Sequence, residues 1–133
     1  MKTVLCFGDT NTWGVNPVDE SRLEFEKRWT GILTEELRGE ARVIEEGQCG
    51  RTTVCDDPVD LYKNGLDYLM PCLDSHRPID VVVVMLGTVQ LKGRSTKTSS
   101  HRARRTSRSA WNAFCRQSCI RAAVRTAKHR GCC

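Results

Sequence analysis

At 133 residues the chain has room for one modest domain. Its 39% apolar content argues against disorder, and no apolar run approaches the roughly 18 residues of a membrane span. The formal charge of +5 conceals a split: residues 1–80 hold nine bases and all 16 acids, for −7, whereas residues 81–133 hold 12 bases and no acid, for +12. Such asymmetry points either to a basic tail for nucleic acid or anionic lipid, or to a segment never selected as protein.

Residues 2–7 (KTVLCF) form a short apolar run closed by Gly8-Asp9, which predicts a buried strand and a tight turn. The run is too short for a secretory signal, so a cytoplasmic protein is expected. The eight cysteines are accordingly expected as thiols rather than a disulfide framework, with Cys6 and Cys72 acting as small core hydrophobes. Residues 15–27 are polar, lack a clean period and read as a loop. From Trp29, the spacing of Trp29, Ile32, Leu33 and Leu37 predicts one face of a helix, stopped at Gly39. Ala41–Ile44 reads as a second strand, followed by the glycine-bearing loop Gly47–Thr53. Asp60 is the expected N-cap of a helix carrying Leu61, Leu66, Leu69, Cys72 and Leu73, with Pro71 expected to kink or shorten it. The β-branched run Val81–Leu86 suits a strand buried on both faces, ending at Gly87.

Strand, helix, strand, helix, strand predicts an α/β layered fold with a parallel sheet. Ligands in such folds sit at the carboxyl ends of the strands. All three strands end in loops of glycine and small polar residues, Gly8–Gly14, Gly47–Thr53 and Gly87–Gln90, so the site is expected where these meet. The first loop, Gly8-Asp9-Thr10-Asn11-Thr12-Trp13-Gly14, places a hydroxyl on a sharp turn after a strand. On local spacing alone, Asp9, Thr10 and Asn11 are also ordinary turn and cap residues.

That loop resembles the first block of the SGNH (GDSL) hydrolases, most closely their arylesterase/acyltransferase branch. The resemblance continues through Arg28-Trp29-Thr30-Gly31, Val43-Ile44-Glu45-Glu46-Gly47, Gly50-Arg51-Thr52-Thr53, Asp57-Pro58 and Met85-Leu86-Gly87-Thr88, covering about residues 2–88. It implies a flavodoxin-like three-layer α/β/α sandwich with a parallel sheet. It also implies hydrolysis or transfer of acyl groups from small carboxylic esters, with no metal and no cofactor. By the same resemblance Thr10 occupies the nucleophile position, Gly50 supplies an oxyanion N–H, and Asp9 and Trp13 lie on the substrate. The oxyanion asparagine of the family's third block falls on Val89, which offers no side-chain donor. The family's serine before Gly50 is Cys49 here.

The family's late Asp-x-x-His block has no counterpart, since no acid follows Asp80 and the histidines are His76, His101 and His129. His76 is expected at the opposite end of the third strand from the site. An altered nucleophile without its base implies impaired catalysis. The expected organisation is an incomplete core at 1–90 and a basic Arg/Ser/Cys-rich tail at 91–133, the fold being C-terminally truncated or replaced. For the tail, three readings stand: an out-of-frame translation product; a basic amphipathic helix bearing Trp111, Phe114, Cys115, Cys119 and Ala122; or zinc ligation by Cys115, Cys119, His129, Cys132 and Cys133. A small ester is the expected partner, self-association into a homo-oligomer stays open, and no membrane partner is expected. Nucleic acid is kept as the minor role of the tail on a catalytically dead scaffold.

Overall fold

Three apolar or alternating runs pair in parallel to form the sheet that positions everything else. In the computed structural model, which describes residues 1–57 and 60–88, these are β1 (Lys2–Gly8), β2 (Ala41–Gly47) and β3 (Val81–Met85). Their order is β2-β1-β3, so the first strand lies in the middle. Its central position explains its burial: Leu5, Cys6 and Phe7 are fully inaccessible.

The helices are α1 (Thr10–Trp13), α2 (Trp29–Glu36) and α3 (Gly65–Ser75), with a 3-10 turn at Phe25–Lys27. The 3-10 turn falls within the segment expected to be loop, which also carries an isolated antiparallel bridge between Val15 and Arg22. The α2 bounds agree with the spacing of Trp29, Ile32 and Leu33.

Consecutive side chains on a strand point to opposite faces, and this builds the layers. Cys6 and Phe7 pair with Glu45 and Glu46 respectively. On one face Glu45 receives Thr30 Oγ1 and the Arg28 guanidinium, from the start of α2. On the other face Phe7 stacks on Tyr68 of α3, ring centroids 6.2 Å apart, and Tyr68 Oη donates to Glu46 at 3.3 Å. One helix therefore covers each face of the β1–β2 pair, the α/β/α layering that the sequence implied.

Four local expectations are corrected. β2 runs to Gly47 rather than stopping at Ile44, because Glu45 and Glu46 each find partners on their own face. The cap of α3 is Asn64, whose side chain accepts from Leu66 N at 3.1 Å; Asp60 lies outside the helix. α3 also continues through Pro71 to Ser75, held by the burial of Leu69 and Cys72 on either side of it. β3 is not covered on both faces either. Val81, Val82 and Met85 are 46%, 41% and 41% exposed, since α1 and α2 pack on β1 and β2 instead. Among the described residues no helix is long and apolar enough to cross a membrane.

Candidate active site

The carboxyl ends of the three strands meet, as the loop pattern implied, and one carboxylate ties the loop after β1 to the loop after β3. Asp9 caps α1 by accepting from Asn11 N at 3.2 Å through Oδ1. Its Oδ2 accepts from Gly87 N at 3.2 Å, Thr88 N at 3.1 Å and the Thr88 hydroxyl. Asp9 is 1% exposed. Expected on the substrate, it instead turns its charge inward and braces the first loop against the third. The physical reason is that four donors converge on it, and a buried carboxylate stays where its donors are.

Thr10 follows at the first position of α1 and is half-buried. Its Oγ1 accepts from Gly50 N at 3.1 Å and lies 3.9 Å from Cys49 Sγ, to which it donates. Residues 10 and 50 thus meet across 40 positions of sequence. Gly50 reaches this geometry with φ +77°, a left-handed conformation that a side chain would strain. The close seating of α1 on the sheet depends on Gly8, where a Cβ would fall 1.9 Å from Thr12 Oγ1. The Thr10 N–H, in the first turn of a helix, has no acceptor within that helix. Two backbone N–H groups are therefore placed beside one hydroxyl.

Trp13 also belongs to this region. Its ring carries the Arg22 guanidinium 5.3 Å from the centroid, and Arg22 Nε donates to the Trp13 carbonyl at 2.9 Å. Val89, the remaining expected site residue, lies outside the described residues, as do His101, His129 and the tail cysteines. Its predecessor Thr88 is held by Asp9.

His76 does not serve Thr10. It caps the end of α3, with Nδ1 2.9 Å from the Cys72 carbonyl oxygen and Nε2 3.4 Å from Glu46 Oε1. Among the described residues, no imidazole and no carboxylate hydrogen-bonds the Thr10 hydroxyl.

A supporting residue escaped the sequence reading. Arg51 is buried, and Nη1 donates to the carbonyl of Gly8 at 3.0 Å and to that of Glu46. Its guanidinium lies over the rings of Phe7 and Tyr68, at 4.2 and 5.1 Å. Burial pulls the Arg51 pKa down, while Glu46 and other neighbours act in the opposite sense. From just past the Gly50 turn, Arg51 joins the ends of β1 and β2. Only its place directly after Gly50 could have signalled that role.

Solved structures match the fold of this chain. An arylesterase from M. smegmatis superposes with a TM-score of 0.67 and 45% identity, over 72% of this chain and 47% of that one. The carbohydrate acetylesterase Est24 from Sinorhizobium meliloti gives a TM-score of 0.65 at 47% identity, over 68% and 44%. The chain belongs to the SGNH/GDSL hydrolase family. AlinE4, an esterase of the SGNH-hydrolase family, shares the fold more distantly, with a TM-score of 0.57 and 25% identity over 87% of this chain and 54% of its own. This SGNH-type chain spans about half the length of the structures it matches. No family model and no curated protein matches it.

Proposed function

We propose that the chain is built for hydrolysis or transfer of small acyl groups from carboxylic esters, with Thr10 as the attacking hydroxyl, and that its turnover is impaired. The observation that carries this reading is the 3.1 Å contact between the Gly50 N–H and Thr10 Oγ1, at a point where three strand ends converge. In the reaction, Thr10 Oγ1 bonds to the ester carbon and its proton passes to solvent water, from which the departing alkoxide regains one. The carbonyl oxygen then becomes an oxyanion beside the N–H groups of Gly50 and Thr10. Collapse expels the alcohol and leaves an acyl-threonine, which water or a second alcohol cleaves.

Two features support slow turnover. The Thr10 methyl crowds the attacking oxygen and restricts its rotamer. No described base hydrogen-bonds that oxygen, and a protonated hydroxyl is a weak nucleophile. Hydrolysis of p-nitrophenyl acetate by the full chain is expected to exceed background slightly, to vanish in Thr10→Ala and to rise in Thr10→Ser. Equal rates in all three proteins would remove Thr10 from the reaction.

A further inference from the structure

A second cluster of reactive side chains, none of which hydrogen-bonds Thr10, lies on the face covered by α3. Glu46 of β2 and Cys72 and His76 of α3 bring one carboxylate oxygen, one sulfur and one imidazole nitrogen within 4.8 Å of one another. Cys72 and His76 are four apart on a helix, so they lie one turn above each other on the same stripe. Glu46 is delivered from the sheet beneath by its register with Phe7.

The hydrogen bonding around the cluster already has the form of a ligand set. His76 Nδ1 faces the Cys72 carbonyl oxygen at 2.9 Å, and a carbonyl only accepts, so Nδ1 carries the proton. This leaves Nε2 to present its lone pair, and Nε2 faces Glu46 Oε1 at 3.4 Å. Two acceptors held that close call for a proton or a cation between them. Glu46 Oε2 is in turn oriented by Tyr68 Oη at 3.3 Å. A carbonyl behind the imidazole and a hydroxyl behind the carboxylate are the outer partners that fix metal ligands.

We propose that Glu46, Cys72 and His76 bind a divalent transition metal, zinc by donor type, with a fourth position open to water. Sulfur, imidazole and carboxylate together suit tetrahedral zinc, whereas calcium and magnesium require oxygen ligands. Binding forms the zinc–sulfur bond and sends the Cys72 thiol proton to solvent. Carboxylate and thiolate together match the two charges of the ion, with the Arg51 guanidinium as a further positive neighbour of Glu46 and Cys72. Glu46 and His76 side chains retain 17% and 25% of their exposure, which gives the ion a route in. Without the ion Cys72 remains a thiol, its pKa pushed up to about 12 by burial and by Glu46.

The test titrates chelator-stripped full-length chain with zinc alone, against a competing chromophoric chelator. Because the tail has its own cysteines, a variant with Cys115, Cys119, Cys132 and Cys133 all changed to Ser is run in parallel. One zinc per chain is expected in both. His76→Asn and Glu46→Gln, each checked for an unchanged circular dichroism spectrum, should bind more weakly by more than the roughly 10–100-fold that losing an outer partner causes. Cobalt added to the tail variant should give a thiolate-to-metal charge-transfer band. The proposal is overturned if the tail variant binds no zinc, if His76→Asn binds as tightly as the parent, or if the cobalt spectrum lacks the thiolate band.

Discussion

β1 and β3 are apolar strands paired side by side in one parallel sheet, yet they differ sharply in burial. Leu5, Cys6 and Phe7 of β1 are inaccessible, whereas Val81, Val82 and Met85 of β3 keep more than 40% of their surface. Composition does not separate them, for β3 is the more β-branched of the two. Position does: β1 has a strand on each side and a helix over each face, and β3 has β1 on one side. The two strands are joined at both ends by aspartates. Asp9 accepts from Gly87 and Thr88 at the carboxyl end, and Asp80 Oδ2 accepts from Thr3 N at 2.7 Å at the amino end.

The largest effect that would break this contrast comes from core truncation. Phe7→Ala or Leu5→Ala should cost about 2–5 kcal/mol in urea unfolding, whereas Val82→Ala should cost less than about 1. Equal costs for the two strands would mean that β3 is as tightly packed as β1. Next comes Asp9→Ala, which strands the part-buried N–H groups of Gly87 and Thr88; a loss of about 1–3 kcal/mol is expected. Asp9→Asn, retaining one acceptor oxygen, should lose less.

Alkaline pH sharpens the same contrast through the thiols. Cys6, inside β1, is pushed from 9.0 to about 11 by burial and by Glu45, and Cys72 rises to about 12. Above pH 9 the unfolded chain gives up thiol protons that the folded chain keeps. Stability is therefore full below pH 9 and falls as pH rises towards 11. Thermal melts across this range should show the fall, and Cys6→Ala should flatten it. The smallest effect is expected for Asp80→Ala, about 0.5–1.5 kcal/mol, since its bond to Thr3 is exposed to water.

Elements with one strong local signal were legible from the chain alone. The run Lys2–Phe7 with its glycine stop folds as its pattern implies, and the Trp29–Leu37 spacing marks a helix, though Thr30 and Gly31 are its buried residues and Ile32 stays 52% exposed. Thr10 and Gly50 were legible as a pair only through the family resemblance, because 40 residues separate them and no local period links them. What stayed hidden depended on distant partners. Glu45 and Glu46 read as lying beyond the strand Ala41–Ile44 until Arg28, Thr30, Tyr68 and His76 supply their counterparts. Asn64 and Asp60 are equally good caps by residue type, and the choice is made by where Leu69 and Cys72 reach the core. Asp9 looked like a substrate residue because its four donors include groups nearly 80 positions away.

The central claim is that the convergence of three strand ends makes Thr10 a nucleophile whose oxygen already lies at an oxyanion donor. Single-turnover acylation by p-nitrophenyl acetate, followed by mass spectrometry of the full chain, tests it most directly. The expected result is one added acetyl group on Thr10, absent in Thr10→Ala and formed faster in Thr10→Ser. Acetyl found instead on Cys49, 3.9 Å away, with Thr10→Ala labelled as fast as the parent, would contradict it.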